Sequence, residues 1–195
     1  PMGFTKRVAI KRLRTSVLED NPKVVQALIN EARIGGLLHH GNIVDILEFG
    51  EVDGRYYMAL EYVDGPTLAE VIQACRMNRV LVPRFAVIDI AVGVCRGLHH
   101  AHTLRGLDKK PLGLIHRDIK PSNLILDAEG RAKILDFGIA KAASNLYATT
   151  TSAVVKGTPR YMSPEQVEGG ILSARSDIFS FGVVLYEAIT GHLLF

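Results

Sequence analysis

Hydrophobic and polar residues alternate over residues 5–13, with Val8 and Ile10 on one side and Arg7, Ala9 and Lys11 on the other. That period of two predicts a strand. Asn21 followed by Pro22 has the chemistry of an N-cap and a first helical residue. The helix it opens is predicted to run to about Leu38, and Leu28, Glu31 and Gly35 recur on one face at steps of three and four. Glu31 therefore sits beside an apolar stripe and needs a partner. Gly35 and Gly36 each weaken that helix by about 1 kcal/mol relative to alanine. Residues 43–49 and 55–61 predict two strands joined by a turn at Asp53-Gly54. Asp64-Gly65-Pro66 then breaks the pattern, and a boundary between two lobes is predicted there.

Downstream the period changes. Pro83 opens a long helix whose apolar residues, Val87, Ala91, Val94, Leu98 and Ala101, keep a 3.6-residue rhythm. A loop over residues 103–114 carries Gly106, Lys109, Lys110 and Pro111. Two short strands, 124–126 and 133–135, flank a turn at 127–130. Residues 142–155 are small, polar and threonine-rich, which predicts a mobile loop. A last helix is predicted over 176–190, stopped by Gly191.

Composition narrows the class. A chain of 195 residues can build one sizeable core or two small lobes. With 48% hydrophobic and 22% charged residues it is neither a disordered tail nor a low-complexity repeat. A formal charge of +3 is too small for a nucleic-acid footprint. The basic run over residues 6–14 is interrupted by Val8, Ala9, Ile10 and Leu13, as strand-face charges would be. Cys75 and Cys95 lack metal-type spacing and lie among apolar residues, so packed, reduced thiols in a cytoplasmic protein are expected. No signal peptide or membrane segment is read within this chain. The longest apolar stretch, 178–189, contains Ser180, Gly182, Tyr186 and Glu187 and predicts a buried core helix.

Two loops concentrate chemistry. Residues 116–123 read His-Arg-Asp-Ile-Lys-Pro-Ser-Asn and lie between a helix and a short strand. A loop can aim Asp118 and Asn123, five residues apart, at one point. Asp118 offers a carboxylate to orient a hydroxyl and accept its proton, Asn123 a hard oxygen for magnesium, and Lys120 a charge for a phosphoryl group. Asp136-Phe137-Gly138 follows the second short strand and supplies another carboxylate. Each residue alone has a plainer reading. Lys11 would be a solvated strand lysine, Glu31 a helix-surface charge, Asp136 a turn residue and Asp177 a helix cap. His99, His100 and His102 suggest a metal cluster less well than helix-surface residues, because neighbours on a helix point in different directions. His116 reads as a packed structural histidine.

Taken in order, Val8-Ala9-Ile10-Lys11, Glu31, residues 116–123, Asp136-Phe137-Gly138, Gly157-Thr158-Pro159 and Ser163-Pro164-Glu165 resemble the protein kinase superfamily, in its eukaryotic-like serine/threonine branch. The longer loop before His116 is similar to bacterial, particularly myxobacterial, members. The resemblance covers nearly the whole chain. It implies an α+β, bilobal fold: a small β-rich N-lobe with one helix over 1–62 and a larger, mainly helical C-lobe over 63–195. It implies ATP with Mg²⁺ (or Mn²⁺), and a protein substrate with a serine or threonine acceptor. By the resemblance, Lys11 reaches the α- and β-phosphates and pairs with Glu31. Ala9 lies against the adenine, and Glu61 and Val63 bind its edge through their backbone. Leu60 controls the pocket behind. Asp118 is the catalytic base and Lys120 a phosphate contact. Asn123 and Asp136 hold magnesium, and Lys120 with Thr158 favours serine or threonine over tyrosine. Arg117 would meet a phosphorylated residue among Ser144, Thr149, Thr150, Thr151 and Ser152.

Departures matter as well. The glycine-rich loop and the last C-lobe helices of the family have no counterpart in these residues, so a partial domain with weak activity is expected. Any membrane anchor would lie outside this segment. Gly35 stands where the family places a larger apolar residue toward Phe137, which implies a loosely seated helix. The alternative function is a pseudokinase or scaffold, and the presence of Lys11, Asp118, Asn123 and Asp136 weighs against it.

Overall fold

The computed structural model describes residues 5–12, 29, 32–106, 108–137 and 159–195. The predicted cap at Asn21, Glu31, Gly138, the 142–155 loop with its five candidate hydroxyls, and Gly157-Thr158 lie outside them. Three strands, β1 (Val8–Arg12), β2 (Ile46–Val52) and β3 (Arg55–Glu61), form an antiparallel sheet in the order β1-β3-β2. The β2–β3 turn is the predicted one. Asp53 and Gly54 have φ of 50° and 72°, the double left-handed geometry whose twist suits a two-residue hairpin. β1 alternates as predicted, with Ala9 and Lys11 half-buried and Val8 and Ile10 outward.

One boundary moved. The strand predicted from residue 43 begins at Ile46, because residues 42–44 pair elsewhere. Ile134 N–H donates to the Asn42 carbonyl at 2.8 Å, Val44 N–H to the Ile134 carbonyl at 3.0 Å, and Asn42 Nδ2 to the Ala132 carbonyl at 2.8 Å. Ile43 is thereby buried in the core of the second lobe. The sequence pattern shows that this segment is extended but not which partner it pairs with.

The second lobe holds α1 (Leu68–Met77), α2 (Arg84–Thr103), the β4 (Leu124–Leu126)–β5 (Ala132–Ile134) ribbon, a single turn α3 (Pro164–Val167) and α4 (Ala174–Thr190). Helix α1 was not anticipated, although its signature is in the sequence. Thr67 and Glu70 form a capping box in which Glu70 N–H donates to Thr67 Oγ1 and Thr67 N–H to Glu70 Oε2. Helix α2 buries Val87, Ile90, Val94, Leu98 and Ala101, the predicted stripe with Ile90 in place of Ala91. Gly97 lets the 42–44 segment lie against α2, since a Cβ there would meet the Asn42 carbonyl oxygen and Ile134 Cδ1, each at 3.0 Å. Helix α4 ends at Gly191 (φ 72°) as predicted. Cys95 corrects the expectation of two packed thiols: it is exposed on α2, while Cys75 is half-buried, and both are free.

Gly65 lets the chain after β3 lie tightly against β4. A Cβ at residue 65 would lie 1.8 Å from the Leu126 carbonyl oxygen, and next to it Leu126 N–H donates to the Pro66 carbonyl at 2.9 Å. The obstacle is backbone, so it cannot swing away. Gly65→Ala is expected to destabilise the protein by about 1–3 kcal/mol, the usual cost of overpacking. Urea unfolding measures it.

Candidate active site

The 116–123 loop is held from below by one carboxylate. Asp177, in the first turn of α4 and 1% exposed, accepts from His116 N–H at 2.8 Å and from Arg117 N–H at 2.9 Å, with His102 Nε2 at 2.8 Å. The helix itself is capped by Ser173, so Asp177 holds the loop rather than capping α4. Gln166 Nε2 donates to the Arg117 carbonyl at 2.9 Å, and Ser176 Oγ donates to Glu165 Oε1 at 2.5 Å.

His116 is the pivot between the two loops. It is fully buried, its Nε2–H donates to the Leu135 carbonyl at 2.7 Å, and Asp118 N–H donates to its Nδ1 at 3.2 Å. Its ring meets the Phe137 ring edge-on at 4.7 Å. Both nitrogens are used only if the ring is neutral, and burial pushes its pKa below the usual histidine value. A depressed histidine contributes stability above its unfolded value of 6.5, and that contribution is lost as pH falls. Unfolding free energy is therefore expected to decline as pH falls below about 6.5, by at most about 1.4 kcal/mol per pH unit for one group. Urea titrations across that range, with His116→Gln flattening the slope, check it.

Four of the candidate side chains, Lys11, Asp118, Lys120 and Asn123, lie in short contacts with one another or with Asp136. Lys120 Nζ is 3.0 Å from Asp118 Oδ2, and Asn123 Nδ2 donates to the Asp118 carbonyl at 2.8 Å and to Oδ2 at 3.1 Å. With its nitrogen committed twice, the Asn123 amide keeps Oδ1 for another partner. Leu135 N–H donates to the Asn123 carbonyl at 2.9 Å, which sets Asp136 beside this group. Lys11, reaching from β1, places Nζ 2.6 Å from Asp136 Oδ1. Asp136 (φ 57°) and Arg117 (φ 66°) adopt left-handed backbone, which costs a non-glycine residue on the order of 1 kcal/mol. Two such residues bracket the site.

The first lobe supplies an apolar wall. Ala9 pairs with Leu60 across β1–β3. Leu60, Met58, Ile46, Leu38 and Phe137 line a cavity that Gly35 also borders, so the missing side chain at 35 leaves space beside Phe137. Val63 is half-buried. Glu61 has a partner that the sequence did not reveal: Lys133 Nζ lies 2.7 Å from Oε1 and 2.9 Å from Oε2. Between Ala132 and Ile134, Lys133 reads from the sequence as an outward strand residue. Gln166 was also missed, though Ser163 and Gln166 carry a readable capping box. Among the described residues no group of three metal-ligating side chains occurs; His100 instead stacks on His40, their centroids 5.1 Å apart.

The fold is bilobal and α+β, and Lys11 of the first lobe meets Asp136 beside the loop that carries Asp118. The sequence profile of the protein kinase domain matches residues 4–195, and the chain belongs to that family. It is 44% identical over 188 residues to the tyrosine-protein kinase MasK of Myxococcus xanthus, covering 96% of this chain and 29% of that protein. It is 40% identical over 190 residues to the serine/threonine-protein kinase PrkC of Bacillus subtilis (97% and 27%). It is 37% identical over 188 residues to the serine/threonine-protein kinase PknB of Mycobacterium leprae (94% and 28%). The chain thus spans less than a third of the length of these curated relatives. No described helix is long and apolar enough to cross a membrane.

Proposed function

We propose that this domain transfers the γ-phosphate of ATP to serine or threonine hydroxyls of protein substrates in signal transduction, in the cytoplasm. The observation that carries the reading is the Asp118 carboxylate, held by Lys120 and Asn123 beside an Asp136 that Lys11 reaches from the other lobe. Asp118 orients the acceptor hydroxyl and takes its proton as that oxygen bonds to the γ-phosphorus and the bond from phosphorus to the β–γ bridging oxygen breaks, with ADP as the leaving group. Lys120 neutralises charge on the phosphoryl oxygens, and Lys11 steadies the α- and β-phosphates, with Glu31 as its partner. Ala9 and Leu60 wall the adenine, and the backbone of Glu61 and Val63 takes its edge. Asp136 and Asn123 offer the hard oxygens that suit Mg²⁺, or Mn²⁺ in its place, and would hold it. Bound there, the metal neutralises phosphate charge.

Two relatives named as serine/threonine kinases support the acceptor class, while the name of MasK favours tyrosine as a second reading. Incubation with ATP, magnesium and mixed acceptor peptides, followed by phosphoamino-acid analysis, decides between them. Phosphoserine and phosphothreonine are expected. Phosphotyrosine as the main product replaces the acceptor, and no transfer at all favours the scaffold alternative.

A further inference from the structure

Glu61 ends β3 at the junction between lobes, and two partners fix it, Lys133 of β5 and the backbone of Asp45. Both of its carboxylate oxygens accept from Lys133 Nζ, with the two side chains only 13% and 25% exposed on the Lys133 and Glu61 sides. Asp45 N–H donates to Glu61 Oε2 at 3.3 Å, and Glu61 N–H donates back to the Asp45 carbonyl at 2.9 Å. Lys133 is itself rigidly placed. It pairs with Ile125 across the β4–β5 ribbon, and its neighbour Ile134 is tied to residues 42 and 44. The N–H and the side chain of Glu61 are therefore both committed to the second lobe and the segment docked on it. The geometry leaves the Glu61 carbonyl as a group whose position is set from behind by a lysine 72 residues away.

We propose that Lys133 is a positioning residue for nucleotide-base selection: by holding Glu61 it aims the residue 61 carbonyl at the exocyclic amino group of the base. The inference rests on the reading above that residues 61 and 63 take the adenine edge. A carbonyl aimed there accepts a hydrogen bond from the adenine amino group and faces the oxygen that guanine carries at the same place, an acceptor against an acceptor. Fixing the carbonyl thus favours ATP and disfavours GTP at once. Letting it move weakens the first interaction and relaxes the second.

The test compares dissociation constants of Mg·ATP and Mg·GTP, by calorimetry on the intact protein, for wild type, Lys133→Met and Lys133→Arg, with melting temperatures alongside. Lys133→Met is expected to lower the ATP-over-GTP preference about tenfold, the factor carried by one well-made hydrogen bond. Lys133→Arg, which keeps the charge, should hold the ratio within about twofold. A merely structural tie predicts otherwise: a lower melting temperature, or equal loss of both nucleotides, with the ratio unchanged. That result overturns the inference while leaving the kinase reading standing. A wild-type protein that binds neither nucleotide overturns both. Should Lys133→Met fail to fold, Glu61→Gln, which keeps the side chain's size and removes its charge, is read in the same way and must also lower the ratio.

Discussion

Asp118→Asn is expected to slow phosphoryl transfer by about 10²–10⁴-fold, the contribution of a positioned general base. The substitution changes almost no volume, and the residue remains within reach of Lys120 and Asn123. What it loses is the capacity to accept a proton. Nucleotide affinity should then stay within about threefold of wild type, because a group that acts on the transition state need not hold the ground state. Single-turnover transfer to an acceptor peptide, with parallel nucleotide titration, separates these quantities. The variant also distinguishes the two function classes. A biological output that survives Asp118→Asn belongs to a scaffold, and one that disappears belongs to catalysis.

The second large effect lies away from the reacting groups. Asp177→Ala should destabilise the domain by about 3–5 kcal/mol, as expected when a buried, hydrogen-bonded charge is removed and its donors are left orphaned. His116 N–H and Arg117 N–H would both lose their acceptor, and His102 its partner. Against a typical total of about 5–15 kcal/mol, that is a large fraction. Activity should fall too, even where the protein remains folded, because these two N–H groups set the entry of the loop that carries Asp118. Urea unfolding measures the first effect, and transfer assays well below the melting temperature measure the second. Asp177→Asn should recover only part of the stability, since its amide retains one acceptor oxygen for the two donors and turns an NH₂ toward the other.

Much of the site was legible because its chemistry is local. The 116–123 loop carries Asp118, Lys120 and Asn123 within eight residues, so their grouping needs only a turn of chain. Asp136-Phe137 follows at the end of the next short ribbon. The helices and strands were legible where a face is buried, since burial imposes a period of 3.6 or 2 on the sequence. Helix α1 escaped notice because ten residues give that period little room, although its Thr67–Glu70 capping box was there to be read.

What the chain alone determined is therefore the set of chemical groups and the local form that presents them: strand-borne Lys11, the loop of Asp118 and Asn123, the turn of Asp136, and the stops at Gly54 and Gly191. What only the tertiary structure decided is who meets whom across the fold. Residues 42–44 leave the first sheet for Ile134, Lys133 turns from an apparent surface charge into the partner of Glu61, and Asp177 reaches back 60 residues to hold the Arg117 N–H. The physical reason is common to all three. A buried hydrogen bond or ion pair leaves no periodic trace in sequence, because it is satisfied by proximity in space rather than by spacing along the chain.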